Sequence, residues 1–353
     1  MRRHVLVLLP LGLHGCSCGE VAPRPGAPLI VDDIPGEGEG EGEGEGEGEG
    51  EGEGEGEGES GPAVVFEAQD LSGLTLPSTN LRAVFAIATD DVWVVGDNGT
   101  ALRFDGTAWT TVPTGISHAL YGVWAAGPEA IWAVGGLGDP TTPNGVLLFH
   151  DGGAGGFTTI ATDVAGTLRA IHGTGPDDIW AVGKNVRLHN DGSGFVADDE
   201  VPDFDVAGVW AHAPDLVWVV GENGRTQRFN GTNWGDVASG LNGVGLSAVG
   251  GTAPDNVLAL GSNGVMLSFE NNAWRSLGSY QNVTLFSLWV YSQKAAFAAG
   301  TDGGFTRFTQ DSFFDVDSGT EAFLFGVHGT SPEDVWVAGW EGTILHVVPG
   351  NEP

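Results

Sequence analysis

Two histidines, an acidic cluster and one polar insertion are the places where this chain of 353 residues could do chemistry. His172 and His328 occupy equivalent places in two internal repeats, and an imidazole can act as general base, metal ligand or hydrogen-bond donor. Neither has a carboxylate or a second ligand at metal-site spacing. Packing between repeats is their expected role, with ligand contact at the mouth of a central channel as the alternative. Asp198, Asp199 and Glu200, followed by Asp203 and Asp205, offer hard oxygens of the kind that hold Ca2+. Their spacing follows no calcium loop and predicts a solvated loop instead. Residues 136–144 interrupt the repeat pattern with glycine, proline and polar side chains. Insertions in repeat proteins fall in loops, often on a binding face. Asp139, Thr141, Thr142 and Asn144 therefore join His172 and His328 as candidate ligand contacts.

Catalytic patterns are missing from the sequence. It contains no His-Glu-x-x-His, no Gly-x-Ser-x-Gly nucleophile turn and no phosphate-binding glycine loop. No catalytic residue, metal or cofactor is assigned, and a non-enzymatic role is expected. Charge narrows the partners. Against 13 basic residues stand 47 acidic ones, for a formal net charge of −34. From residue 62 onward the balance is 32 acidic to 10 basic, still −22. Such a surface repels nucleic-acid phosphates and anionic headgroups, so nucleic acid is not an expected partner. The expected partner is a protein or a glycan, met by a monomer.

The first sixty residues read as an address and a tether. Arg2 and Arg3 precede an apolar run at residues 5–13, too short to span a bilayer and suited to a signal peptide over residues 1–15. The run ends in Leu13-His14-Gly15-Cys16, which resembles the lipobox of bacterial lipoproteins. That resemblance implies a diacylated Cys16 as the mature N-terminus, and Ser17 after it implies sorting to the outer membrane. The alternative is an ordinary cleaved signal peptide and a freely secreted protein. Residues 36–59 are twelve Gly-Glu dipeptides. Glycine maximises backbone entropy, glutamate supplies self-repulsion, and nothing apolar is available to bury. Residues 16–61 are thus expected to form a disordered polyelectrolyte spacer with a reach of roughly 35–40 Å. Similar tracts follow the lipobox in myxobacterial surface lipoproteins, a likeness that implies a cell-surface position.

The elements that must position the candidate residues come from internal repetition. A hydrophobic-aromatic-x-x-Gly signature begins at Val92-Trp93 and recurs at Ile131-Trp132, Ile179-Trp180, Val217-Trp218 and Val335-Trp336. Degenerate copies stand at Val257-Leu258 and Ala296-Phe297. The glycines that close these seven copies are separated by 39, 48, 38, 40, 39 and 39 residues. Each repeat holds four short strand patterns. The first starts at Leu81, Leu120, Leu168, Val206, Leu246, Leu285 and Leu324, with a small residue two places later each time. Strand side chains alternate between faces, so the leading aliphatic and the small residue are expected to share one. Crowding near a common axis would explain the small side chain and makes this strand innermost. Its fifth position carries Phe85, Trp124, His172, Trp210, Gly250, Trp289 and His328. The Trp strand follows and ends in turns such as Asn98-Gly99, where Asn-Gly supplies positive φ. A third strand and an aromatic-led fourth, opened by Trp109, Phe157, Phe195, Trp234, Trp274 and Phe313, complete each repeat.

Four strands in about 39 residues make a propeller blade. The seventh repeat lacks a fourth strand, and Val64-Val65-Phe66 matches the missing pattern. An all-β, seven-bladed β-propeller over residues 62–353 is therefore expected, sealed by an N-terminal strand in the last blade. The repeats, with Asp105-Gly106-Thr107-Ala108-Trp109 near the third turn, resemble those of bacterial propeller lipoproteins and of photosystem II assembly factor-like and sialidase-type propellers. Function follows from this likeness as an expectation: a membrane-tethered binding scaffold using rim loops. The alternatives are a periplasmic assembly factor and an extracellular glycan hydrolase. The last needs an arginine cluster, a tyrosine nucleophile and an acid/base, which Tyr121, Tyr280, Tyr291 and the few arginines do not assemble in sequence.

Overall fold

A strand that is apolar on both faces must be covered on both, and the Trp strand of every repeat makes that demand. The computed structural model describes residues 64–137, 144–198, 200–280, 283–309 and 312–349. It meets the demand with seven four-stranded antiparallel sheets stacked around a common axis. Every residue of Asp91–Gly96, Asp178–Gly183, Leu216–Gly221, Ala295–Gly300 and Asp334–Gly339 is buried. The chain is an all-β, seven-bladed propeller. Cys16, Asp139, Thr141 and Thr142 lie outside the described residues. Among the described residues no helix is long and apolar enough to cross a membrane.

Blades grip one another through aromatic side chains. Trp336 of blade seven meets Phe104 and Trp109 of blade one at centroid distances of 5.2 and 5.7 Å. Trp180 of blade three meets Phe229 and Trp234 of blade four at 5.2 and 5.3 Å. Tilted and edge-to-face contacts of this kind add to the large apolar area each ring buries. The Trp column is core, as its repetition implies. Asn98, Asn223 and Asn263 take φ of 54°, 56° and 57° in their turns, the left-handed geometry that Asn-Gly favours.

Blade seven is shared between distant parts of the chain. From the outside inward its strands are Val64–Ala68, Ile344–Pro349, Asp334–Gly339 and Leu324–Ser331. The outermost pair runs in unbroken antiparallel register from Val64↔Pro349 to Ala68↔Leu345. Phe66 takes the place of the fourth-strand aromatic and meets Phe305 of blade six edge-on at 5.1 Å.

One expectation fails. The leading aliphatic and the small residue do not share a face, because every innermost strand carries a bulge between them. In Leu81–Ala88, Leu81 pairs with Gly96 and Ala83 with Val95, so Arg82 is an extra residue in the ladder. The same shift recurs in Ala119–Gly127, Leu168–Gly175, Val206–Ala213, Leu246–Ala253, Leu285–Ser292 and Leu324–Ser331. A bulge resets the alternation and re-aims side chains. Leu81 is fully buried between blades, while Ala83 lines the axial cavity. The reason given for the small residue survives. A Cβ on Gly326 would stand 2.9 Å from the Val84 backbone nitrogen and 3.0 Å from the Ala83 Cα, on the neighbouring inner strand.

Candidate functional site

The bulges deliver the second residue of each inner strand to one mouth of the axial channel. Arg82, Tyr121, Arg169, Phe286 and Phe325 line it, joined by Lys184 from the turn after the blade-three Trp strand, around a cavity of about 480 Å3. Among the described residues no carboxylate lines it. Arg82 is held by Asp97 through two hydrogen bonds, 2.9 Å from Nε and 2.8 Å from Nη2. Its guanidinium also lies 4.7 Å from the Phe325 ring centroid. Arg169 and Lys184 share one carboxylate, Asp205, at 3.9 and 3.3 Å. Two cations on one anion leave a positive charge over, and the Arg169 side chain is 48% exposed to meet a ligand. Across the mouth, Phe325 and Phe286 pack at 5.0 Å, and Phe323 stacks on the exposed Trp340 at 4.4 Å. The mouth thus has a cationic arc on blades one to three and an aromatic shelf on blades six and seven.

Deeper in the channel, the fifth position of each blade meets the sixth position of the next, and their sizes are complementary. Trp124, Trp210 and Trp289 each cover a glycine: Gly173, Gly251 and Gly329. A Cβ on Gly251 would fall 2.9 Å from the Trp210 ring and 2.5 Å from the Asn256 carbonyl oxygen. Phe85 packs by Ala125, and Gly250, which has no side chain, faces Val290. His172 and His328 face alanines. The Ala211 backbone N–H donates to His172 Nδ1, and that of Ala86 to His328 Nδ1, both at 3.2 Å. Both sequence-singled histidines therefore line the channel wall and tie adjacent blades, four blades apart in the same ring.

Burial pushes the His172 pKa down to about 4, partly opposed by Asp178. It pushes His328 down to about 3, with His172 adding to the effect. Folded-state values below the unfolded value near 6.5 mean that the unfolded chain takes up these protons first. The associated stability is complete above about pH 6.5 and is lost as pH falls toward 4, at roughly 1.4 kcal/mol per pH unit for each histidine. Urea unfolding at pH 7, 6, 5 and 4 is expected to show this decline, and His172→Gln/His328→Gln is expected to flatten it. An equally steep decline in the double variant would refute the assignment.

Elsewhere the sequence candidates meet different fates. Asn144 is buried and accepts a hydrogen bond from Thr167 Oγ1 at 3.2 Å, anchoring the base of the insertion beside the mouth that Thr167 lines. The acidic cluster lies on a loop with Glu200 and Asp203 exposed, as expected, but three of its carboxylates have basic partners. Asp198 pairs with Arg187 at 2.8 Å, Asp203 with Arg225 at 2.9 Å, and Asp205 with the two mouth cations. Among the described residues no group of three or more His, Cys, Asp or Glu could hold a metal ion.

Sequence reasoning missed two Asp–His pairs. His189 Nε2 lies 2.8 Å from Asp178 and His346 Nε2 lies 2.6 Å from Asp334. Each imidazole is stacked on its blade's tryptophan, Trp180 or Trp336, at 3.9 and 4.0 Å. Thr174 and Thr330 donate to the far carboxylate oxygens. The carboxylate stands between hydroxyl and imidazole, so the imidazole does not touch the hydroxyl it would have to deprotonate. These networks fasten the turn before the Trp strand to the third strand. Burial opposes ionisation of Asp334, yet hydrogen bonds from His346, Thr330 and Trp336 together hold its pKa below the usual carboxylate value. The mouth cations were missed as well; their signal was a basic residue directly after the leading aliphatic, at Arg82 and Arg169.

No family model matches the chain, and no curated protein matches it. Solved structures do. YCF48 bound to a D1 peptide is 17% identical, over 81% of this chain and 95% of that one, with a TM-score of 0.61. YCF48 from Cyanidioschyzon merolae is 16% identical over 80% and 98%, with a TM-score of 0.62. The WD40 β-propeller domain of Doa1 is 10% identical over 79% and 95%, at 0.65. At these identities the likeness is one of fold, and what the chain shares with all three is the β-propeller.

Proposed function

We propose that this propeller is a non-catalytic binding module that takes a negatively charged polypeptide segment at its channel mouth. One observation carries the proposal. In a chain of −34 net charge, Arg82, Arg169 and Lys184 converge on one cavity that no carboxylate lines among the described residues. Against so acidic a surround, a local positive field steers and orients an anionic partner. The aromatic shelf beside it supplies apolar contact of the kind that anchors peptides. YCF48, whose fold this chain shares, has been seen with a peptide bound, which supports a protein partner over a glycan.

The hydrolase reading gains Tyr121 in the same lining as Arg82 and Arg169, but among the described residues that lining provides no carboxylate or imidazole to work with it. The tether expected at Cys16 and the Gly-Glu spacer belong to the same proposal. They would present the mouth to partners in or beyond the envelope. Radiolabelled palmitate should enter the wild-type protein and not Cys16→Ala.

The test of the mouth is a peptide-display selection on the purified protein, followed by fluorescence anisotropy on enriched peptides. Selected peptides are expected to be rich in Asp and Glu. Arg169→Glu/Lys184→Glu, two partly exposed changes, should weaken them by about tenfold or more and flatten the salt dependence. Binders without acidic residues, or binders indifferent to the double variant, would sink the proposal.

A further inference from the structure

Below the mouth, the inner strands enclose a chamber of about 310 Å3 that opens toward it. Six of the seven blades place an aromatic or imidazole ring at the fifth position of the inner strand. Blade five places Gly250 there. Blade five is two blades from His172 in blade three and two from His328 in blade seven, so the gap lies midway between the imidazoles. A Cβ on Gly250 would meet Val290 at 3.3 Å and Leu288 at 3.8 Å, both through flexible side-chain atoms. Val290 and Leu288 therefore take part of the missing side chain's space through atoms that can give, and the rest belongs to the chamber that Gly250 lines.

The chemistry of the two imidazoles is settled by their hydrogen bonds. Each uses Nδ1 to accept a backbone N–H, from Ala211 or Ala86. The proton of the neutral ring must then sit on Nε2. Both rings line the chamber, and among the described residues no protein acceptor meets either Nε2–H. A ring whose remaining nitrogen carries a proton cannot ligate a metal without losing it. It can donate. Two donors from separate walls call for a ligand with two acceptor lobes, and the route in passes Arg82 and Arg169. Aromatic walls alone would also suit a quaternary ammonium, but two N–H dipoles and two guanidinium groups oppose a cation.

We propose that this chamber binds a small organic carboxylate, whose oxygens accept hydrogen bonds from His172 and His328 Nε2–H and whose apolar body fills the gap at Gly250. Its volume sits at the lower end of small-molecule sites, which limits the body to a single ring or a short chain. The chamber shares Arg82, Tyr121, Arg169, Phe286 and Phe325 with the mouth, and it is set apart by His172, His328 and Gly250, which line the chamber alone.

Benzoate is the probe, titrated into the full chain labelled with 15N and followed at the histidine rings, with calorimetry in parallel. Both Nε2 resonances are expected to move saturably, and tetramethylammonium at equal concentration should leave them still. Gly250→Leu fills the gap while keeping both imidazoles and the basic mouth, and should weaken benzoate by at least about tenfold. Lys184→Glu, at the mouth cation that does not line the chamber, should weaken the peptides while changing benzoate affinity by no more than about threefold. Unmoved Nε2 resonances in the wild-type protein would overturn the proposal without recourse to any variant. So would undiminished binding to Gly250→Leu, or a response to the ammonium probe instead.

Discussion

Deleting residues 64–68 is expected to unfold the propeller or drive it to associate, because it strips the outer strand from blade seven. The deletion removes the whole register from Val64↔Pro349 to Ala68↔Leu345. It leaves the Ile344–Pro349 strand as an unpaired edge, a template for pairing with another chain. It also withdraws Phe66 from the core it shares with Phe297, Phe305 and Val335. Truncating a buried Phe alone costs about 3–5 kcal/mol. Domains are stable by about 5–15 kcal/mol in all, so losing the strand as well consumes most of the margin. Phe66→Ala offers a graded version; Phe66 is half-buried, so the expected loss in urea unfolding is about 1.5–3 kcal/mol, below that of a fully buried ring. Val65, 46% exposed on the same strand, is the control; Val65→Thr should stay within about 0.5 kcal/mol. A deletion variant that unfolds cooperatively at the wild-type urea midpoint would show that the ring is sealed some other way.

The second large effect belongs to Arg187, whose side chain is 1% exposed between blades three and four. Its Nε donates to Asp198 Oδ2 at 2.8 Å, its Nη2 to the Glu200 carbonyl at 2.5 Å and its Nη1 to Gln227 at 3.3 Å. The guanidinium lies 3.9 Å from the Trp234 ring centroid, and Trp234 Nε1–H donates to the same Asp198 oxygen at 2.9 Å. Burial lowers the Arg187 pKa, with Asp198 opposing. Arg187→Met keeps most of the volume and strands Asp198, and should cost about 3–5 kcal/mol. Arg187→Met/Asp198→Leu should recover most of that loss, since no uncompensated charge then remains. A single variant costing under about 1 kcal/mol would mean that Asp198 escapes to water.

Why the blades were legible and the site was not follows from where each signal is written. The Trp strand is covered on both faces, so its apolar run and closing glycine recur in every repeat and set the period. The match of Val64-Val65-Phe66 to a fourth strand was readable for the same reason, because Phe66 must meet blade six as Trp109 meets blade seven. The bulge left no such trace. It occurs in all seven inner strands, so no repeat lacks it for comparison, and strict alternation put the leading aliphatic and the small residue on one face. The acidic cluster misled through distance. Arg187 reaches Asp198 from the third strand of blade three and Arg225 reaches Asp203 from a turn in blade four, 11 and 22 residues away. The channel ring was half legible: His172 and His328 stood out in their column, but their partners lie in the sixth column of the following repeat. Set side by side, Trp with Gly, His or Phe with Ala, and Gly with Val form a size code between neighbouring blades.

The shared seventh blade also sets a clock. Its outer strand is among the first parts of the propeller to be synthesised and its neighbour among the last. At ordinary elongation rates the two are separated by roughly tens of seconds. Throughout that interval residues 64–68 have no partner, and six blades wait without a final seal. A chain that cannot finish folding until its last strand is made stays threadable for as long as it is being made.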